Sequence, residues 1–208
     1  MKSIRKASQS ANPRAPDPLA ALVAGATAGD PVKMRGILET VAPAVYTVVR
    51  LILGPDNPDV PDVAQEALMA LRDALRTFRR ESSVVQYARQ VAVRTAMTAR
   101  RRWRSRERGL QEFRRDWDGT FEEGTPDDPI VRARRSAAFR ALLADLPDAQ
   151  AETFTLRVLL DYTLPQVASA TGVSVNTVRS RVRLAKEKLR HRIGADPALY
   201  DILREGDT

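Results

Sequence analysis

The amino-acid sequence predicts an all-α protein of two small helical domains joined by a flexible acidic linker. Apolar residues recur at spacings of three and four along most of the chain, which draws stripes down helices. No sustained period-two alternation bounded by turn dipeptides occurs, and no internal repeat is evident. Between Asp116 and Asp128 stand six acids and no base, interrupted by Gly119, Gly124, Pro126 and Pro129, a composition that opposes helix and repels itself. The expected organisation is a basic tail over 1–18, a helical domain over 19–106, the linker over 107–138, a second helical domain over 139–194 and a C-terminal tail over 195–208.

A chain of 208 residues with 43% apolar side chains can supply a core. Its 34 Lys and Arg against 26 Asp and Glu leave a formal charge of +8, which favours a polyanionic partner, nucleic acid first. The absence of cysteine excludes disulfides, thiolate zinc sites and cysteine nucleophiles, and a single histidine, His191, removes multi-histidine metal sites. No catalytic residue, metal or cofactor is therefore assigned. An enzyme acting on nucleic acid would want carboxylates framed to hold magnesium, and here the acids concentrate in the Gly/Pro stretch. The most apolar run, Val45 to Leu53, is broken by Arg50 and is far shorter than the roughly 20 residues of a membrane span. Met1 to Pro18 has no apolar run of a secretory signal. A cytoplasmic protein without membrane insertion is expected.

Residues up to about Pro16 lack periodicity and read as a frayed tail. Leu38, Val41, Val45, Val48, Val49 and Ile52 mark a helical stripe that ends at Gly54-Pro55, with an earlier break at Gly29-Asp30-Pro31. Ala64, Leu68, Leu71, Leu75 and Phe78 step by 4, 3, 4 and 3 down an amphipathic helix. Ser83 and Gln86 have capping-box form, and Val84, Tyr87, Ala88 and Val91 carry the next stripe into Arg100-Arg101-Arg102. Beyond the linker, Phe139, Leu142, Leu143 and Leu146 resume the spacing before Pro147, and Phe154, Leu156, Val158 and Leu159 follow.

The most specific local pattern comes next. Thr163 with Gln166 forms a capping box, and Pro165 falls in the first turn, where a missing N–H is harmless. Gly172 offers the left-handed conformation that ends a helix, and Ser174 is a good N-cap for a second helix carrying Val178, Val182, Ala185 and Leu189 inward. Short helix, tight turn and longer helix is the helix-turn-helix geometry that enters a major groove. Ser174, Asn176, Thr177, Arg179, Ser180 and Arg183 are left for base edges, and Lys186 lies further along for phosphate. From Ser174 to Arg192 seven bases face one acid, Glu187. The second cationic run, Arg89 to Arg108, has eight bases and one acid, and with Tyr87 and Trp103 it suits holding a displaced strand by charge and stacking. Tyr87 shares a stripe with Val91 and reads equally as core.

Leu146-Pro147, Tyr162-Thr163-Leu164 and Thr177-Val178-Arg179-Ser180-Arg181 closely resemble region 4 of bacterial sigma-70 family factors, in the extracytoplasmic-function (ECF) group, which keeps only regions 2 and 4. Asp62-Val63-Ala64-Gln65-Glu66-Ala67-Leu68 resembles the region 2 segment that docks on the clamp helices of the polymerase beta-prime subunit. The resemblance implies that Asp62, Gln65, Glu66 and Met69 bind polymerase. Phe78-Arg79-Arg80-Glu81-Ser82-Ser83 and the following basic run resemble the segment that opens and reads the -10 promoter element, which implies DNA contacts for Arg94, Arg100 and Arg101. An aromatic usual in the family is Arg72 here, and its usual Asn and Asp align with Arg94 and Thr98. The partners so implied are core RNA polymerase, through the beta-prime clamp helices and the beta flap, promoter DNA, and an anti-sigma protein. The alternative is a stand-alone helix-turn-helix regulator whose first half dimerises or senses a signal.

Overall fold

A computed structural model describes residues 19–78, 80, 82–110, 129–197 and 199, with the side chains of 104–110, 129–133 and 135 outside that description. The basic tail over 1–18 and the acids between 116 and 128 lie outside the described residues. Eight helices and no strand occur among those described: α1 Ala20–Thr27, α2 Pro31–Leu53, α3 Val60–Ala74, α4 Val84–Leu110, α5 Pro129–Asp145, α6 Asp148–Phe154, α7 Leu164–Thr171 and α8 Val175–Gly194.

Helix α2 is the axis of the first unit. Asp30 caps it by accepting from the backbone N–H of Val32 at 2.9 Å and of Lys33 at 3.2 Å, and Pro31 sits in the first turn. Ile37, Val41, Val45 and Val49 are completely buried against neighbouring helices, while Arg35, Glu39, Tyr46 and Arg50 stay exposed. The helix holds 23 residues and its most apolar 18-residue stretch has a mean hydropathy of 1.6, so by length and composition it passes as a membrane span. That corrects the shorter estimate from Val45 to Leu53. Its apolar stripe nonetheless faces protein, packed on α1, α3 and α4, which is the signature of a core helix.

Against α2 lies α4, whose buried Ala88, Ala92, Ala96 and Ala99 allow two helix backbones to approach closely. Ser83 starts α4 by accepting at Oγ from the backbone N–H of Gln86 at 3.2 Å. The far end of α4 is tied to the start of α3, where the Trp103 indole N–H donates to Asp59 Oδ2 at 2.7 Å. Helix α3 buries Val60, Val63, Ala64, Ala67 and Leu71 and continues into a 3₁₀ turn, Leu75–Thr77. Helical residues also fill 107–110 and 129–138, both of which the sequence reading had placed in the linker.

In the second unit α5 and α6 lead into a π-helical turn, Thr155–Leu159, which delivers Tyr162 into the interior with 1% of its surface exposed. The Tyr162 hydroxyl donates to the backbone carbonyl of Gln86 in the first unit at 2.6 Å. The two units thus share one continuous apolar core. The chain beyond α8 also contributes, since Leu199 is buried and its N–H donates to Asp196 Oδ1, so residues placed in the C-terminal tail belong to the packed structure.

The helix-turn-helix forms as its caps dictate. Thr163 Oγ1 accepts from the Gln166 N–H and the Gln166 side chain accepts from the Thr163 N–H at 2.9 Å, closing the capping box. Gly172 ends α7 at φ 67° and ψ 27°, and Ser174 Oγ accepts from the Thr177 N–H at 3.1 Å. A side chain at residue 172 would meet nothing within 4 Å, so only backbone strain opposes it. Gly172→Ala is therefore expected to cost about 1 to 2 kcal/mol in urea unfolding, and Gly172→Asn less, because asparagine tolerates the left-handed region better.

Candidate nucleic-acid and polymerase interfaces

Helix α8 turns Val178, Ala185 and Leu189 inward and leaves a polar face open to solvent. Ser174, Asn176, Arg179, Ser180, Arg183 and Lys186 are exposed, and Thr177 is half-buried. Each cap and ion pair on this face is local. Asn176 Oδ1 accepts from Arg179 at 2.9 Å, and Arg183 pairs with Glu187 at 2.8 Å. Such exposed pairs are worth well under about 1 kcal/mol, so a base edge or phosphate can replace them at little cost. The sequence reading and the geometry place the same residues together here.

On α3 the side opposite the core presents Asp62, Gln65, Glu66, Met69 and Asp73, all exposed. Met69 is 46% exposed, a large apolar side chain amid polar neighbours. Glu66 Oε2 lies 3.5 Å from Arg102 on α4, and Arg72 pairs with Asp73 at 3.0 Å. This face is mostly polar and open to solvent.

The basic residues of α4 fare differently. Arg101 is exposed, but Arg94 donates to the carbonyl of Ala170 at the end of α7 and lies 3.8 Å from Glu152 on α6. Arg100 is only 8% exposed and faces Asp148 on α6 at 3.9 Å. Two of the three arginines assigned to the displaced strand are thus engaged by the second unit. Burial pushes the Glu152 carboxyl above its ordinary range, opposed by the charges of Arg94 and Arg181 and reinforced by Asp148. Burial likewise pushes the Tyr162 phenol far upward, against the charge of Arg89, so it remains a hydrogen-bond donor.

Between the units lies a cavity of about 590 Å³, walled by Phe78, Tyr87, Gln90 and Arg94 on one side and Pro165 and Ser169 on the other. Tyr87 is half-buried and packs on Phe78, ring centroids 4.7 Å apart and planes tilted by 34°. Trp103 does not join it. Sixteen residues of helix separate them, about 24 Å, and its indole is committed to Asp59. The sequence reading missed Glu152, Asp148 and Tyr162 as partners of α4, for which only their charge and the lone buried phenol before a capping box gave any signal.

Comparison with known proteins agrees with both units. The family model for sigma-70 region 2 matches residues 37–107, and that for sigma-70 region 4 matches residues 136–189. The chain is 29% identical over 182 residues to the ECF RNA polymerase sigma factor SigD of Mycobacterium tuberculosis, covering 85% of this chain and 84% of that one. It is 29% identical over 141 residues to the ECF RNA polymerase sigma-E factor of Haemophilus influenzae, covering 65% and 75%. The fold resembles CnrH, solved in complex with the cytosolic domain of CnrY, with a TM-score of 0.56 at 22% identity over 85% of this chain and 97% of that one. It also resembles the sigma factor RpoE of Bartonella quintana, solved with the anti-sigma factor NepR, with a TM-score of 0.52 at 19% identity over 78% and 97%. Matched in both of its units and along most of its length, the chain belongs to the sigma-70 family and, within it, to the ECF group.

Proposed function

We propose that this chain is a dissociable promoter-recognition subunit of bacterial RNA polymerase, directing the core enzyme to specific promoters and melting them, and is not itself a catalyst. The observation that carries this is the pairing, in one chain, of an open polar recognition face on α8 with a region 2 unit whose α3 face is free. In this reading Asp62, Gln65, Glu66 and Met69 meet the beta-prime clamp helices, and the second unit meets the beta flap. Ser174, Asn176, Thr177, Arg179, Ser180 and Arg183 read the upstream (-35) duplex, with Lys186 on phosphate. Arg94, Arg100 and Arg101 hold the downstream strand. Acting with polymerase on DNA, the protein works in the cytoplasm. The two solved relatives carry a CnrY domain and an anti-sigma factor, which supports an anti-sigma protein as a partner here. A stand-alone regulator would leave the region 2 match without a use.

The closed packing bears on how this subunit works. Arg94 and Arg100 are held by Ala170, Glu152 and Asp148, so strand capture by α4 requires the two units to part. Core polymerase is the agent that separates them in this reading, since it binds both.

Two outcomes follow. Asp62→Ala combined with Gln65→Ala leaves helicity intact and weakens binding of the full chain to core polymerase, read by fluorescence anisotropy; unchanged affinity assigns the polymerase face elsewhere. Tyr162→Phe combined with Glu152→Gln and Asp148→Asn keeps every arginine but removes the two negative charges that face Arg94 and Arg100 and the hydroxyl that meets Gln86, leaving only the Ala170 carbonyl. Each hydrogen bond contributes about 0.5 to 1.5 kcal/mol net, so affinity of the free protein for a single-stranded oligonucleotide rises severalfold. No gain would mean that the packing does not restrain α4.

A further inference from the structure

Four large apolar side chains are exposed among the described residues: Val32, Tyr46, Met69 and Leu184. Leu184 alone lies on α8, with 42% of its surface in solvent. It stands four residues after Ser180 and eight after Asn176, so helical spacing sets the three on one stripe, away from the buried Val178, Ala185 and Leu189. Its neighbours at helical spacings of three and four are Ser180, Arg181, Glu187 and Lys188, of which Arg181 is half-buried and the rest exposed.

A branched aliphatic group within a charged, hydrogen-bonding stripe gains nothing from phosphate or from base donors and acceptors. Major-groove base edges present one apolar group, the C5 methyl of thymine. Ten residues from the Ser174 cap, Leu184 is about 15 Å along the helix, which directs it to the margin of the recognised element and not its centre. We propose that Leu184 is a specificity-determining residue that selects thymine at one position of the upstream element by packing on its methyl group. The inference rests on the reading of α8 as the recognition helix. It assigns Leu184 to apolar readout beside the hydrogen-bonding residues Asn176, Arg179 and Ser180.

The test separates the two levels. The full chain is assembled with core polymerase, and duplexes are enriched from a pool randomised upstream of the start site. The enriched duplex is then resynthesised with deoxyuridine replacing each thymidine in turn, which keeps base pairing and removes only the methyl. Wild-type holoenzyme is expected to lose about three- to five-fold in affinity at one or two adjacent positions, the scale of one buried methyl. Holoenzyme with Leu184→Ala binds the parent duplex more weakly by a similar factor and is indifferent to the same replacement, whereas Leu184→Met retains the penalty. A penalty that persists in Leu184→Ala, no penalty at any thymine, or an enriched element lacking thymine overturns the assignment of Leu184. Failure to enrich any sequence overturns the reading of α8 itself, and this assignment with it.

Discussion

The buried hydroxyl of Tyr162 joins the two halves of this molecule, and most of what the structure implies about function depends on that joint. A phenol 1% exposed must spend its O–H on a protein acceptor, and the acceptor here is the carbonyl of Gln86, at the start of α4. With that contact made, the ends of α6 and α7 fall alongside α4, and Glu152, Asp148 and Ala170 come within reach of Arg94 and Arg100. The same packing leaves the polar face of α8 and the outer face of α3 exposed. One arrangement therefore keeps both proposed recognition faces open and engages two of the three arginines proposed for the third.

This division has a physical logic. A cationic helix face is attractive to any polyanion, and a protein of net charge +8 meets many. Covering Arg94 and Arg100 with two carboxylates and a carbonyl reduces unspecific attraction while the subunit is free. The covering is shallow: Arg94 keeps 66% of its side chain exposed and Glu152 24%, at a separation of 3.8 Å, so the contacts are exchangeable at modest cost.

Where the determinants are local, the sequence was readable. The capping box of Thr163 and Gln166, the left-handed Gly172 and the Ser174 cap each act within four residues, and together they place the polar face of α8. The α2 to α4 stripes were legible for the same reason, through spacing alone. What escaped were pairings across the chain. Tyr162 and Gln86 are 76 residues apart, as are Arg94 and Ala170, and Trp103 meets Asp59 across 44. Nothing in the neighbourhood of Trp103 announces that its indole serves the first turn of α3 and not a nucleobase, and the basic run around it suggested the opposite. The membrane-span estimate differed in another way: it measured only the most apolar run, Val45 to Leu53, whereas the helix itself runs through charged residues to 23 in length.

The central claim is that this chain confers start-site choice on core polymerase. It is tested most directly by mixing this chain with core enzyme and genomic fragments of the source organism, then mapping the 5′ ends of the transcripts. The account expects new starts at a fixed distance downstream of a shared upstream element, all absent with core enzyme alone. Unchanged starts, together with dimeric binding of specific duplexes in the absence of polymerase, would contradict it and mark the protein as an independent regulator.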